Sequence, residues 1–288
     1  MVAPPPARVS DVAEQAALAW GVTLDERATS GHNEVWFARR GTEHVVLKAG
    51  DREARRREAM ALAAFSHASA RLLEHDAVNG VLLMERVLLG DDLLPLARVD
   101  DDASTEIIGR VVSSLHSGQL PPPAGALPRL VSLGEAFEGS GDPRLPDTLV
   151  TRAAGLFVEL TTGGDEVVLH GDLHHFNVVR DGVGDDADRW RAIDPHGWIG
   201  DPAFDTAPML ANPRGLTLEE SPDTTRLVTA TTAERRIAIL AETTGFDRDR
   251  IRAWAFTAAV IAELWMVEDH DLVHGAPLAL AEALAPSL

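Results

Sequence analysis

The chain has 288 residues, of which 45% are hydrophobic and 25% are charged, an ordinary composition for a folded globular protein with a sizeable core. It contains no cysteine, so disulfides, thiolate zinc sites, iron–sulfur clusters and cysteine nucleophiles are excluded. The formal net charge of −19 argues against nucleic acid as a partner, because most of the surface would repel phosphate groups.

The excess of negative charge lies in the C-terminal part of the chain. Residues 1–90 carry 11 basic and 12 acidic side chains, whereas residues 91–288 carry 15 and 33. This distribution suits either a cationic partner or simple solubility. No run approaches the ~20 apolar residues of a membrane span, and the first residues lack the apolar core of a signal peptide. We therefore expect a cytoplasmic protein with no membrane partner.

The first β-rich runs, residues 33–40 and 43–48, flank a Gly-Thr pair and predict a hairpin. Lys48 ends the second run and is the only lysine in a chain with 25 arginines. Because arginine is otherwise used throughout, a single lysine indicates a site that needs a compact point charge. Chance is the alternative explanation. Before the hairpin, a polar turn around Gly31 either brings backbone N–H groups close to an anion or is an ordinary turn.

A helix is predicted next, with Asp51 as its N-cap and its end near Phe65. Helical spacing places Glu58 on the apolar face of this helix. A carboxylate there is costly unless it is paired, and Lys48 is the nearest candidate cation on a buried element. A neighbouring arginine at the helix edge is the alternative partner.

The rest of the chain changes character after a small sheet. Two apolar runs, residues 71–74 and 81–84, complete four or five antiparallel strands. A connector follows, and then helical patterns dominate, over roughly residues 102–116, 147–162, 232–245, 249–268 and 275–285. The proline- and glycine-rich stretch 119–146 is predicted to be an exposed loop.

The densest polar cluster is the octapeptide 170–177, His-Gly-Asp-Leu-His-His-Phe-Asn, which follows an apolar run. Residues 176–180 and 190–193 predict a hairpin that would bring Asp194 beside Asp172 and Asn177. Carboxylate and amide oxygens suit Mg²⁺, which takes its other ligands from water and substrate phosphates. The sequence therefore predicts a magnesium site where these three side chains meet.

This octapeptide, with Ile-Asp-Pro-His-Gly at 193–197 and Gly-Asp-Pro-Ala-Phe-Asp at 200–205, resembles the catalytic signatures of the aminoglycoside phosphotransferase family. Residues 233–265 resemble its streptomycin 6-phosphotransferase and hydroxyurea phosphotransferase branch more specifically. The resemblance implies an α+β, bilobal protein-kinase-like fold. Residues 1–87 would form a small N-lobe with an antiparallel sheet and one helix, and residues 88–288 a larger, mainly helical C-lobe.

The resemblance also implies roles in phosphoryl transfer. Asp172 would be the catalytic residue that accepts the proton of the substrate hydroxyl. Asn177 and Asp194 would hold Mg²⁺. Lys48, fixed by Glu58, would bind the phosphates of ATP or GTP.

Further residues would bind the nucleotide or support the loop. The turn at Gly31 would cover the phosphates, although the three-glycine loop of protein kinases is absent. Glu85 would contact adenine through its carbonyl group, and Val87 through its N–H group. His170 and Asp205 would act as structural supports.

The implied reaction transfers the γ-phosphate to a hydroxyl of a small, cationic molecule, first a streptomycin-like aminoglycoside, and so confers antibiotic resistance. Phosphorylation of hydroxyurea, a sugar or a choline-like metabolite is the alternative. A monomer or weak dimer is expected. The candidate acceptor contacts are acidic side chains, namely Asp201, Glu263, Glu268, Asp269 and the nearby Asp271. For Glu263, Glu268, Asp269 and Asp271, an equal alternative is that they form a solvated helix end. For Asp201, the alternative is a hydrogen bond to the catalytic loop.

Two interpretations from other classes remain open. The loop histidines and Asp172 are also possible transition-metal ligands of a hydrolase. A catalytically dead nucleotide-binding module with the same fold is the other. The kinase interpretation is preferred over the hydrolase because it also uses Lys48, Glu58 and Asp194.

Overall fold

A computed structural model of the protein describes residues 9–30, 33–65, 67–119, 125, 127–138, 142–182, 189–213 and 229–288. Gly31, predicted to cover the nucleotide phosphates, lies outside these residues. Within them, no helix is long and apolar enough to cross a membrane.

An antiparallel five-stranded sheet, ordered β1-β2-β3-β5-β4, dominates the N-terminal part. Its strands are β1 (Thr23–Ser30), β2 (Asn33–Arg40), β3 (Glu43–Ala49), β4 (Leu72–Asp76) and β5 (Val81–Glu85). Successive side chains of the central strand β3 point to opposite faces of the sheet. Its residues Val45, Leu47 and Ala49 are fully buried in one apolar cluster, so Val46 and Lys48 face the other side of the sheet.

Two helices accompany this sheet, one more than the sequence predicted. The unpredicted α1 (Val9–Ala19) buries alanines against β3. The predicted helix is α2 (Arg52–Ala64), and the Asp51 side chain caps it by accepting a hydrogen bond from the Ala54 N–H group at 2.8 Å. Glu58 is 1% exposed, so it does point inward.

The C-terminal part is mainly helical. Its helices are α3 (Leu94–Val99), α4 (Asp101–His116), α5 (Asp147–Thr161), α6 (Ala207–Leu210), α7 (Ala230–Thr244), α8 (Arg248–His270) and α9 (Ala276–Leu284). The long α8 packs against α5, α6 and α9, and it buries Trp254 and Phe256 completely. Every long helix predicted from periodicity is present, with ends within two residues of the expected ones.

Two small sheets present the polar loops. Their strands are β6 (Leu89–Asp92), β7 (Val167–Leu169), β8 (Val178–Asp181), β9 (Trp190–Ala192) and β10 (Trp198–Gly200). The first has the order β6-β8-β9, in which β8 and β9 form the predicted hairpin. The second pairs β7 with β10, so the residues after β7 lie beside those before β10.

The stretch 119–146 is not wholly the exposed loop that its composition predicted. Residues Leu130–Phe137 form a 3₁₀ helix, in which Leu130 and Leu133 are buried in a cluster with Phe157 and Trp254. The flanking prolines and glycines obscured a short apolar segment, because burial of leucine outweighs the local preference for loop structure.

Candidate active site

Lys48 lies at the centre of an ionic cluster between the two parts of the molecule. Its Nζ atom is 2.8 Å from Oε1 of Glu58 on α2 and 2.7 Å from Oδ1 of Asp194 after β9. Glu58 also pairs with Arg55, so both partners considered for it from the sequence are present. Asp194 has a φ of 61°, which a residue other than glycine adopts only where its surroundings enforce it.

Lys48 and Asp194 both stay charged in this cluster. Burial disfavours the Lys48 ammonium, but the carboxylates of Glu58 and Asp194 outweigh this effect and raise the pKa of Lys48. Burial likewise opposes ionisation of Asp194, and the Lys48 charge overcomes it, so the pKa of Asp194 is lowered. At neutral pH the site therefore offers a cation and an anion in contact.

Asp172 follows β7, and two imidazoles flank its carboxylate. Its Oδ2 atom is 3.4 Å from Nε2 of His174 and 3.7 Å from Nε2 of His196. Burial favours the neutral acid, but the hydrogen bond from His174 and the nearby imidazoles lower the pKa of Asp172 below its usual value. The carboxylate is therefore ionised at neutral pH and able to accept a proton.

Asn177 connects Asp172 to Asp194. Its Nδ2 atom donates to the carbonyl oxygen of Asp172 at 2.8 Å. The backbone carbonyl oxygen of Asn177 accepts from the N–H group of Ile193, the residue before Asp194, at 2.9 Å. These bonds hold the three oxygen-bearing side chains at the end of the β8–β9 hairpin, as the spacing predicted.

The loop that carries Asp172 is anchored from below by Asp205, which is completely buried. The Asp205 carboxylate accepts from the backbone N–H groups of His170 at 2.9 Å and Gly171 at 2.8 Å, and it contacts Nε2 of His116 at 2.9 Å. Burial raises the pKa of Asp205, but the contact with His116 outweighs it and the net shift is downward. Asp205 thus fixes the loop backbone as a buried anion.

His170 is a second anchor. Its Nε2 atom lies 2.9 Å from the carbonyl oxygen of Ile193, and its Nδ1 atom is 3.3 Å from the N–H group of Asp172. Burial lowers its pKa, so the ring is neutral at neutral pH. One ring nitrogen thus contacts the segment before Asp194 and the other contacts the backbone of the Asp172 loop.

A cavity of about 320 Å³ opens on the Lys48 side of the cluster. It is lined by β-strand side chains, by residues 84–87 and 89–90, and by Val179, Ile193 and Asp194. The Glu85 side chain accepts from the N–H group of Arg71 at 2.8 Å and pairs with Arg191. The Glu85 carboxylate is therefore occupied, and Val87 is buried beside it.

A second cavity, of about 310 Å³, opens on the Asp172 side. Apart from Asp172, His196 and Asn212, its lining is apolar or glycine, with Trp198, Phe204 and Trp265 as the large aromatic members. The two cavities are thus lined by neighbouring residues of one segment, since Asp194 lines the first and His196 lines the second.

The structure does not bring the four expected acidic contacts, or Asp271, into the lining of the second cavity. Asp201 caps a 3₁₀ helix and pairs with Arg250 at 2.6 Å, in a different pocket. Glu263 is 1% exposed and accepts backbone N–H groups of residues 274, 275 and 278, so it stabilises the turn after α8. Glu268 and Asp269 are exposed at the end of α8. Asp271 pairs with Arg144 at 2.8 Å.

The residues present fit a hard cation. Lys48 uses Oδ1 of Asp194, whose side chain is 51% exposed, and the second carboxylate oxygen is left for another ligand. The Asn177 amide donates through its nitrogen, so its oxygen stays available. One carboxylate and one amide oxygen, completed by water and phosphate oxygens, form a donor set typical of Mg²⁺. Among the described residues, no three His, Asp or Glu side chains are grouped to hold a metal ion by themselves, as a hydrolase site would require.

His196, Trp198 and Asn212 had no role predicted from the sequence, although all three line the second cavity. The available signal for His196 and Trp198 was their closeness to Asp194 in sequence, since His196 lies two residues after it and Trp198 begins the strand that pairs with β7. Asn212 had no comparable signal, because its place depends on how α6 packs against α8.

Comparison with known proteins matches residues 20–270 to the family model described as "Aminoglycoside/hydroxyurea antibiotic resistance kinase". Streptomycin 6-kinase of Streptomyces griseus is 33% identical over 223 residues, which cover 75% of this chain and 68% of that protein. Hydroxyurea phosphotransferase of Kitasatospora aureofaciens is 30% identical over 281 residues, which cover 93% of this chain and 74% of that protein.

The fold is similar to that of a choline/ethanolamine kinase family protein from Mesorhizobium loti, whose crystal structure superposes with a TM-score of 0.67. The alignment covers 96% of this chain and 95% of the other, at 18% sequence identity. This similarity concerns the fold alone.

Proposed function

The chain belongs to the aminoglycoside/hydroxyurea antibiotic resistance kinase family, and on that basis we propose that it transfers the γ-phosphate of ATP to a hydroxyl of a streptomycin-like aminoglycoside. Family membership confirms the resemblance and the phosphotransferase class predicted from the motifs. The observation that carries the proposal is a pair of cavities, one lined by the Lys48–Asp194 ion pair and the other by Asp172.

The Lys48 cavity is the proposed nucleotide site. A charged ammonium held by Glu58 on one side and Asp194 on the other is preset to bind phosphate oxygens without having to be ordered first. The Glu85 carboxylate is engaged elsewhere, which leaves its backbone carbonyl and the N–H group of Val87 as the proposed contacts with the adenine edge. GTP is the alternative nucleotide.

Asn177 and Asp194 would hold Mg²⁺, which when bound would neutralise charge on the nucleotide phosphates. Asp172 lines the acceptor cavity and is ionised at neutral pH, so it is the proposed base that orients the acceptor hydroxyl and takes up its proton. His170 and Asp205 do not touch the reactants in this scheme. They hold the backbone of the Asp172 loop.

The division into an N-lobe of residues 1–87 and a C-lobe of residues 88–288 remains a proposal. It is supported by strand pairing, since β5 belongs to the N-terminal sheet and the next strand, β6, pairs with β8 of the C-terminal part.

The second cavity is the proposed acceptor site. Its volume of about 310 Å³ suits a molecule of several rings better than one of a few atoms. Hydroxyurea is the second candidate acceptor, because the hydroxyurea phosphotransferase matches 93% of this chain. The negative charge of the C-terminal part favours a cationic acceptor over a neutral sugar.

The test is acceptor-dependent consumption of ATP in the presence of Mg²⁺, with streptomycin, other aminoglycosides, hydroxyurea, choline and simple sugars as separate acceptors. We expect consumption above background with streptomycin, together with a product that carries one additional phosphoryl group. The variant Asp172→Asn, assayed in parallel, measures background hydrolysis. If hydroxyurea were the one acceptor that gave turnover, it would replace streptomycin as the proposed acceptor. If no acceptor gave turnover, the proposed function would be overturned.

A further inference from the structure

Arg57 joins the helix of the proposed nucleotide site to the wall of the proposed acceptor site. It precedes Glu58 on α2. Its Nε atom donates to the carbonyl oxygen of Gly197 at 3.1 Å, and its guanidinium carbon lies 4.1 Å from the centroid of the Trp198 ring. One side chain therefore contacts the residue before β10 and the first residue of β10.

The helix and this segment are in direct contact at Gly197. Its φ is 69°, and a Cβ atom there would lie 2.6 Å from the carbonyl oxygen of Arg57. Only glycine accommodates both this conformation and this close approach. Burial lowers the pKa of Arg57, which remains a cation at any physiological pH.

Trp198 in turn packs against the loop that carries Asp172. A Cβ atom at Gly171 would lie 2.5 Å from Cδ1 of Trp198, so the loop backbone packs against the edge of the indole. The N–H groups of His196 and Gly197 also donate to the carbonyl oxygen of His170. The indole of Trp198 thus contacts the Arg57 guanidinium on its face and Gly171 at its edge. The same side chain lines the acceptor cavity.

We propose that Arg57 is a positioning residue that fixes Trp198, and with it the acceptor-cavity wall, to helix α2. This inference rests on the proposed function, because it assigns Arg57 to acceptor binding rather than to nucleotide binding. Among the described residues, Arg57 is not itself a lining residue of either cavity, and its side-chain hydrogen bond goes to Gly197 rather than to the Lys48 cluster. Its effect on the reaction is exerted through Trp198.

The kinetic test compares Arg57→Gln, Arg57→Lys and the neighbouring control Arg56→Gln, since Arg56 instead bonds Glu53 on the same helix. Loss of a partly buried cation–π contact and of the hydrogen bond to Gly197 is expected to raise the acceptor KM about tenfold in Arg57→Gln, while the KM for ATP changes less than twofold. Arg57→Lys should recover only part of the loss, because an ammonium lacks the planar face that stacks on indole. Equal rises in both KM values, or no rise in either, would overturn the proposal.

Hydrogen exchange tests the Arg57 contact independently of the identity of the acceptor. Hydrogen exchange of the backbone amides of residues 196–200 reports on the segment itself, and it needs neither substrate. We expect faster exchange there in Arg57→Gln than in the wild type and in Arg56→Gln, with the α8 core unchanged. Unaltered exchange in Arg57→Gln would overturn the inference, whereas the absence of turnover in the wild type would overturn only the proposed function.

Discussion

Lys48, Glu58 and Asp194 hold one another in place at a site that would otherwise disfavour charge. Lys48 and Glu58 are almost completely buried, and an isolated ion at either position would be costly. The half-exposed Asp194 completes the set and leaves one face of the cluster open to a ligand. The physical consequence is a preorganised ammonium, whose position depends on two carboxylates from distant parts of the chain.

Lys48→Arg tests whether this geometry, rather than charge alone, matters. The two contacts of 2.8 and 2.7 Å converge on a single nitrogen, which a planar guanidinium cannot reproduce. We expect kcat/KM for ATP to fall by about 10²-fold or more, with the melting temperature reported alongside to exclude unfolding. A variant with near wild-type rates would show that any cation suffices.

Asp194→Asn tests the proposed metal ligand. An amide binds Lys48 and a divalent cation less strongly than a carboxylate does. We expect the affinity for an ATP analogue, measured calorimetrically with Mg²⁺, to fall about tenfold or more, while affinity measured with EDTA changes less. The surface variant Asp25→Asn, whose carboxylate pairs with the exposed Arg39, serves as the control. An unchanged magnesium dependence would remove Asp194 from this role.

Among the structural elements, the loop after β7 depends most clearly on a contact distant in sequence. Asp205 lies in the 3₁₀ helix Pro202–Thr206, yet it supplies the hydrogen-bond acceptors for two backbone N–H groups of the loop. The loop can therefore keep its conformation only while that helix is docked beneath it.

Asp205→Asn should destabilise the fold by about 2–4 kcal/mol, because one anionic acceptor of several buried hydrogen bonds is lost. The effect should depend on pH. The pKa of Asp205 is lower in the folded protein than its usual value of 3.8, so its stabilisation is present above that value and is lost as pH falls below it. The gap in melting temperature between the wild type and the variant should thus be wide at pH 7 and narrow below pH ~4. A gap that stays constant over this range would contradict the account.

Local elements were predictable because local signals specify them. The Asp51 cap and the inward Glu58 follow from helical spacing, and the β8–β9 hairpin follows from two apolar runs around a polar loop. Helix α1 was missed because its burial depends on packing against β3, which the alanines of α1 do not reveal. Glu263 was misassigned for a similar reason. Its carboxylate binds the backbone of a turn 11 to 15 residues later, and helical periodicity carries no information about that turn.

At the scale of the whole molecule, the dominant feature is the surplus of acidic residues after residue 90. The acceptor cavity itself is mostly apolar, and its one carboxylate among the described lining residues is that of Asp172. The surrounding charge would therefore act over a distance, on the encounter with a cationic acceptor, more than through direct ion pairs.

This charge distribution predicts salt effects of opposite sign for the two substrates. The KM for streptomycin should rise several-fold between about 0.05 and 0.5 M salt, because the Debye length shrinks from more than 10 Å to less than 5 Å. The KM for ATP, an anion, should fall or stay constant over the same range, which makes it an internal control. A streptomycin KM that does not depend on salt would show that the acidic surface serves solubility alone.

The two cavities are proposed to serve one reaction, in which Asp172 takes the proton of the acceptor hydroxyl. Two quantities are to be measured for Asp172→Ala and the wild type in parallel. One is the dissociation constant of the nucleotide with Mg²⁺, and the other is kcat with ATP, Mg²⁺ and the acceptor identified by the screen. We predict that kcat falls by about 10³-fold or more while the nucleotide dissociation constant stays within about twofold of the wild type. Retained turnover, or loss of nucleotide binding in a folded variant, would contradict the account.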